Sequence, residues 1–500
     1  MQEGIKGMGF IRKVLVIILL AHVCSATIQA GEEVDTKAID EYIESKMRLS
    51  RIPGLALAIV KDDKVVYLKG YGQADQSGRP ITPQTSFILG SITKSFTALA
   101  VMQLVEAGKV ELDAPVQKYI PWFRVAGANA SAQITIRQLL YQTSGLPMLR
   151  EPQFWTDQDV GALERTVRFL SNAQMSFPPG QGFEYSNANY ETLGLVVQVV
   201  SGMSYEDYVT QNIFVPLDMK NSFASQDEAM KHGMATGHRW WYGFPVAATF
   251  PLNRSELPAG YLISSAEDMA HYLIAEMNGG RYGNSSVLSS AGIALTQTAP
   301  SPRTYAMGWE LIDSNGHRLI NHEGGMQTFQ TSVFFDPEKR VGVFVAANVM
   351  SALDAFSTPH GPEPLDGQTV RGVANTVFSL ITNRPLPDPG RGIRKLYLIF
   401  DLALLILTAL LVISIVRMRR RYQRWQEQGI TKWSVLSALA NFIVPLFVLY
   451  LTIEVLFWRV LEMFEPDFYY WLNAVAVVLF VKGVIEIAMI SSVVRLRQSR

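Results

Sequence analysis

Three long apolar runs close this chain, at about Leu396–Val416, Trp433–Phe457 and Tyr469–Val494, and they restrict its architecture more than any other feature. Each is long enough to cross ~30 Å of hydrocarbon at about 1.5 Å per helical residue. Between the first two lie Arg417, Arg419, Arg420, Arg421, Arg424 and Lys432, a cationic loop expected on the cytoplasmic side. The next loop carries Glu462, Glu465 and Asp467 against Arg459, and is expected outside; Arg495, Arg497 and Arg500 return the tail inside. Arg391, Arg394 and Lys395 flank the outer end of the first run and are outweighed by the cytoplasmic cations. Asp401, Glu454, Lys482 and Glu486 are costly in lipid, so they are expected to face other helices; Lys482 and Glu486, four apart, would neutralise each other.

The other end of the chain agrees with that orientation. Lys6, Arg12 and Lys13 precede the apolar Val14–Ala21, and small residues Ser25, Ala26 and Ala30 follow. This reads as a secretory signal peptide over residues 1–30. The only cysteine, Cys24, lies inside it, so the mature protein is expected to have neither a disulfide nor a thiol nucleophile. Residues 31–356 then form an extracytoplasmic domain large enough for a sizeable core. Residues 357–395, rich in Pro and Gly, read as linker, and 396–500 as a three-helix membrane region. The expected location is the cell membrane, multi-pass, with the domain outside. Lys plus Arg and Asp plus Glu are both 44, and nothing in the charge pattern suggests nucleic acid.

Within the domain, Val34–Leu49 reads as a helix. Leu55–Val60 and Lys64–Leu68, joined by Lys61-Asp62-Asp63, read as a hairpin. A second hairpin runs through Thr328–Phe335, the turn Asp336-Pro337-Glu338-Lys339, and Val341–Ala346. Two hairpins around a mainly helical middle predict one antiparallel sheet built from both ends of the domain. Helices would flank it, and a helical lobe would be inserted between the hairpins, an α/β (α+β) arrangement.

The chemistry starts at Ser91-Ile92-Thr93-Lys94. Phe96, Leu99, Met102 and Val105 recur at three-residue steps and Gly108 supplies a stop, so a helix is expected from near Ser91. Residues three apart share a helix face, which sets the Lys94 amine beside the Ser91 hydroxyl. A serine needs a neighbour to take its proton before it attacks, and a helix N-terminus favours the developing alkoxide. Alone, the tetrapeptide fits equally an N-capping serine and a solvated lysine. It is the one Ser-x-x-Lys in the chain, however, and two later segments join it. Phe183-Glu184-Tyr185-Ser186-Asn187 follows the Pro178-Pro179-Gly180-Gln181-Gly182 turn, and Asn321-His322-Glu323-Gly324-Gly325 precedes the second hairpin.

Ser-x-x-Lys, then Tyr-x-Asn, then a basic residue two before a glycine is the motif order of the penicillin-recognising serine hydrolases. The chain resembles the branch containing class C β-lactamases, D-alanyl-D-alanine carboxypeptidases, D-aminopeptidases and related esterases. Ile52-Pro53-Gly54-Leu55-Ala56, Gln138–Leu146 and Pro216-Leu217-Asp218-Met219 resemble it too, and the similarity runs from about Ile39 to about Ala347. The resemblance implies a β-lactamase-like fold, Ser91 as nucleophile, Lys94 as its proton acceptor, and Tyr185 as general base or proton relay. Asn187 would hold the substrate carbonyl side or orient Lys94. Gly324 and Gly325 would let substrate approach the strand edge, with a backbone N–H near Gly325 joining that of Ser91 as the oxyanion hole. A phenol acts as base near neutrality only where cations favour its anion, and Lys94 and His322 are the candidates. Tyr282-Gly283-Asn284 is a rival match to the second motif, set in a surface-turn composition.

His322 stands where class C β-lactamases carry lysine; histidine occurs there in peptidase and esterase members. The leading reading is therefore a membrane-anchored serine hydrolase of peptide, amide or ester bonds, with D-amino-acid-containing wall peptides the favoured substrates. A β-lactamase and a non-catalytic sensor of wall fragments or β-lactams stand as alternatives. No Gly-x-Ser-x-Gly elbow and no metal-ligand spacing occur, so no cofactor or metal is expected. The expected partners are a small peptide, ester or β-lactam substrate and membrane lipid; no protein partner is indicated.

Overall fold

The computed structural model describes residues 34–126, 128–147, 159–314, 317–350, 370–386, 393–454 and 466–499. The signal-peptide reading, Cys24 and the charges at Arg391, Arg459, Glu462, Glu465 and Arg500 lie outside these residues, as does the side chain of Glu454.

Asp35 caps helix α1 (Thr36–Ser50), its side chain accepting from the Ala38 N–H. The chain then forms the hairpin β1 (Gly54–Lys61) and β2 (Lys64–Gly72). A 3₁₀ turn, Gly90–Ile92, leads into α2 (Thr93–Glu106), and after a run of short helices comes α3 (Asn187–Ser201). A small hairpin, β3 (His238–Trp241) and β4 (Phe244–Ala247), precedes α4 (Ala266–Met277). Strands β5 (Glu310–Ser314), β6 (His317–Met326), β7 (Phe329–Asp336), β8 (Val341–Ala347) and the short β9 (Val349–Met350) follow.

The main sheet has the order β2-β1-β8-β7-β6-β5, with every neighbouring pair antiparallel. It joins the two ends of the domain as the hairpins predict: Leu57 lies opposite Val345. The central strands are buried at almost every position because both faces are covered. Leu55, Leu57 and Ile59 share a core with Val343, Val345, Val373 and Phe378, whereas Ala56, Ala58 and Val60 belong to the core on the opposite face. This is the two-residue alternation of a strand sorting its side chains between two layers. Helix α4 packs on β1 and β8, and the inserted middle of the chain supplies the lobe that carries α3.

One stretch departs from its expected state. Val370–Ile381, read as linker, forms α5 and packs on β7 and β8. Val370, Val373, Ala374, Val377 and Phe378 are buried, at helical spacing. Flanking Pro and Gly outweighed that periodicity in the composition of the whole stretch.

Beyond it lie α6 (Ile393–Val416), α7 (Met418–Gln428), α8 (Lys432–Glu454) and α9 (Pro466–Gln498). Three helices, α6, α8 and α9, are long and apolar enough to cross a membrane. Inside them, fully buried Glu486 accepts from Lys482 Nζ at 3.2 Å, Arg421 Nη1 at 2.7 Å and Asn441 Nδ2 at 2.9 Å. Lys482 and Glu486 therefore meet each other as expected, with the cationic loop supplying a further partner, whereas Asp401 lies beside the β3–β4 hairpin.

Candidate active site

Ser91 sits in the 3₁₀ turn, and α2 behind it is buried on nearly every side from Thr93 to Met102. The turn is pressed against β6 so closely that side chains are excluded. A Cβ on Gly90, whose φ is +56°, would lie 2.7 Å from Gly325 N, and one on Gly324 would lie 1.9 Å from Leu89 O. Thr331 Oγ1, on β7, donates to the same Leu89 carbonyl at 2.6 Å. Pairing of β5 with β6 ends at Asn321, so among the described residues the outer edge of β6 carries no strand from His322 onward. Ser91 thus lies beside a strand edge left unpaired at Gly324–Gly325.

Lys94 Nζ donates to Ser91 Oγ at 2.9 Å and to the Ala259 carbonyl at 2.6 Å. The side chain is 0% exposed. Burial lowers its pKa from 10.5 to about 7, against an upward pull from Glu191 and Glu256. Near neutrality a large share of Lys94 is therefore free amine. In that form one N–H holds the Ala259 carbonyl, which can only accept, and the nitrogen lone pair is available to the Ser91 hydroxyl proton. Burial also raises Glu191 well above an ordinary carboxyl, with Glu256 adding to the rise, and Glu256 itself is raised by burial.

Tyr185 is brought in from the far side. Its loop is pinned to the Gln142–Gly145 segment: Gly180 N–H donates to Thr143 O at 2.8 Å and Glu184 N–H to Gln142 O at 3.1 Å. The Gln142 side chain accepts from Ser186 N–H at 3.0 Å and from the Asn189 amide. The Lys94 ammonium nitrogen lies 4.8 Å from the Tyr185 ring centroid. Burial and neighbouring Tyr305 raise the phenol pKa well above 10, and the adjacent Ser91 hydroxyl pulls it partly back. Held from ionising in this way, Tyr185 is a phenol that can donate or relay a proton.

His322 corrects the companion expectation. It is 2% exposed, and burial drives its pKa down to about 4, so at neutral pH it is uncharged. Nδ1 lies 2.7 Å from the Glu323 carbonyl; that oxygen only accepts, so Nδ1 carries the proton and Nε2 presents a bare lone pair. Nε2 is buried without a hydrogen-bond partner among the described residues. Its ring centroid is 6.3 Å from that of Tyr185, and Tyr305 lies 5.9 Å from Tyr185 and 6.1 Å from His322. Asn187, half-buried, opens α3, but the amine is held by Ala259 rather than by that amide. The rival Tyr282 stacks on His271 at 4.3 Å and belongs to a separate two-stranded hairpin.

Several contributors escape the sequence motifs. Tyr305, Glu256 and the Ala259 carbonyl carry no local signal. Glu191 does: it is the one acid of α3, a helical turn past Asn187, on a helix mostly apolar toward the core. Gln142 lies in a stretch noted for its resemblance, and its φ of +59° marks a backbone held by function or packing.

Comparison with known proteins fits this geometry. The family model described as Beta-lactamase matches residues 39–359. Protein flp of Staphylococcus aureus (strain MW2) is 29% identical over 390 residues, covering 78% of this chain and 74% of that protein. Penicillin-binding protein 4 of Amycolatopsis lactamdurans is 31% identical over 288 residues, covering 55% of this chain and 74% of its own length. Among solved structures, the octameric penicillin-binding protein homologue from Pyrococcus abyssi superposes with a TM-score of 0.61 at 29% identity, covering 72% of this chain and 79% of that one. With a family match across more than half its length and the fold to go with it, this chain belongs to the beta-lactamase family of serine hydrolases and penicillin-binding protein homologues.

Proposed function

We propose that the protein is a membrane-anchored, extracytoplasmic serine hydrolase that works through an acyl-enzyme on Ser91. The observation that carries this reading is a fully buried amine, titrating near neutrality, 2.9 Å from the Ser91 hydroxyl. Lys94 as free base takes the hydroxyl proton while Oγ attacks a substrate carbonyl carbon. The backbone N–H groups of Ser91 and Gly325 bind the oxyanion. Collapse of the tetrahedral intermediate expels an amine or alcohol, which Tyr185 protonates, the phenol being resupplied from the Lys94 ammonium. Water then attacks the ester carbonyl along the reverse proton route and frees Ser91. The α6, α8 and α9 helices hold the domain at the bilayer, and the cationic α7 stays on the cytoplasmic side.

Charge guides the choice of substrate. The carboxylate of a β-lactam would meet a neutral imidazole at His322, and Arg371 is already paired with Glu323. That favours amide and ester bonds with no carboxylate beside the scissile bond over efficient β-lactam hydrolysis; D-amino-acid-containing wall peptides stay the favoured class on the resemblance, with cleavage away from a free C-terminus. The test is turnover of a panel of D-peptides, small esters and a chromogenic cephalosporin by the full chain in detergent. Hydrolysis of peptides or esters, abolished in Ser91→Ala, is the expected result. Cephalosporin turnover alone would favour a β-lactamase, and ligand binding that survives Ser91→Ala with no hydrolysis by the native chain would favour a sensor.

A further inference from the structure

Together with α1, the β3–β4 hairpin is one of the parts of the domain that touch the membrane helices. Its two-residue turn, Tyr242 (φ 47°) and Gly243 (φ 71°), is left-handed at both positions, the tight turn that matches strand twist. The Tyr242 N–H donates to Asp467 Oδ2, at the start of α9, at 2.8 Å. A Cβ on Gly243 would lie 3.6 Å from Asp401 Oδ2 and 3.9 Å from Tyr397, both on α6. Trp240 stacks on Tyr397 with centroids 5.0 Å apart, and Trp241 lies 5.9 Å from Tyr470. The tip is therefore held level with the Phe468-Tyr469-Tyr470-Trp471 run that opens α9. An aromatic cluster at the end of an apolar span marks the membrane–water interface.

What the hairpin leaves uncovered fits that zone. Phe244 is 58% exposed and Val246 45% exposed, and the strand alternation puts both on one face. Tyr242 is also exposed. Cations sit directly behind the apolar tip: the Arg51 guanidinium lies 4.1 Å over the Phe244 ring and donates to Gly243 O at 2.6 Å, and Arg239 lies 6.0 Å over Trp241. Apolar rings backed by arginines match acyl chains backed by phosphates.

We propose that the β3–β4 tip is itself embedded in the outer interfacial layer of the bilayer, with Phe244 and Val246 among the upper acyl chains and Arg51 and Arg239 at the phosphates. The proposal rests on the reading of α6, α8 and α9 as membrane spans. It has a consequence for the reaction. Strand β3 is fixed to the end of the catalytic strand, since His238 N–H donates to Thr328 O at 3.3 Å and β3 pairs with β9, whose Met350 abuts Gly325. The seated hairpin therefore sets the height and tilt of the Ser91 site over the lipid surface, and the site takes substrates presented at the membrane.

The chain has one cysteine, so single spin labels can be placed in a C24S background. The full chain, reconstituted in phosphatidylethanolamine–phosphatidylglycerol nanodiscs, would carry labels in F244C, V246C, L405C on α6, and V215C, an exposed position on the lobe. Collision with oxygen, which partitions into lipid, is compared with collision with a water-soluble nickel chelate. The expected result is loss of nickel relaxation and gain of oxygen relaxation at 244, 246 and 405, with the reverse at 215. Nickel access at 244 and 246 equal to that at 215, with 405 lipid-like, overturns the hairpin proposal and leaves anchoring intact. Protection of 244 and 246 from both reagents means that protein covers this face and also overturns it. A water-exposed label at 405 overturns the anchoring reading, and the hairpin proposal with it. Labelling of Ser91 by an acylating probe in each variant verifies that its domain is folded, and concordance of 244 with 246 guards against a local disturbance at either one.

Discussion

In the proposed mechanism the titration of Lys94 sets the rate at which Ser91 is acylated, and this can be tested through pH. With the amine titrating at about 7, free base accounts for roughly one molecule in eleven at pH 6 and ten in eleven at pH 8. Acylation that needs the free base should then rise about tenfold between those values and level off above them. The assay is pseudo-first-order labelling of the native protein by an acylating probe, followed by intact mass at half-unit pH steps. A surface histidine would give a similar midpoint, so two variants separate the sources. His322→Gln should keep the midpoint near 7, because native His322 titrates near 4 and is already neutral throughout this range. Glu191→Gln should move the midpoint to lower pH, because Glu191 is the largest of the two acidic influences that hold the amine's pKa up against burial. A flat profile from pH 6 to pH 8, a midpoint near 10, or loss of the inflection in His322→Gln would refute the assignment of the base.

Lys94→Met should abolish labelling yet raise thermal stability at pH 7. The gap between 10.5 and about 7 corresponds to roughly 5 kcal/mol spent keeping the buried amine. In the native protein the unfolded chain binds the extra proton at Lys94 between about pH 7 and 10.5, so this group makes stability rise with pH across that window; the variant should lose that contribution, as read from the difference in melting between the two at several pH values. Tyr185→Phe should slow acylation and turnover by about 10²–10⁴ while leaving the melting temperature little changed. Gly324→Ala should lose labelling together with stability, measured in parallel, because its Cβ would fall 1.9 Å from the Leu89 carbonyl oxygen, which is backbone and tied to Thr331.

Much of the site was legible because its first contact is local. A three-residue step on a helix brings Ser91 and Lys94 together whatever the rest of the chain does, and 2.9 Å is the distance that results. The sheet was legible from its two hairpins, since short apolar strands joined by tight turns leave few other pairings. Tyr185 and His322 entered through motif order alone, and their position beside Lys94 depends on contacts far apart in sequence. Their protonation states depend on those contacts as well: reference pKa values leave His322 a candidate cation beside Tyr185, whereas burial lowers His322 to about 4 and raises the Tyr185 phenol. Burial is a property of the assembled domain and leaves no trace in a pentapeptide. Helix α5 is a different kind of miss: its helical periodicity is present in Val370, Val373, Ala374, Val377 and Phe378, but it was averaged away by the surrounding Pro and Gly.

The most direct test of the whole account is peptide mapping of the protein after reaction with an acylating probe. One adduct on the peptide containing Ser91, absent from Ser91→Ala and much slowed in Lys94→Ala, is the predicted result. An adduct on another residue, or unchanged labelling of Ser91→Ala, would contradict it.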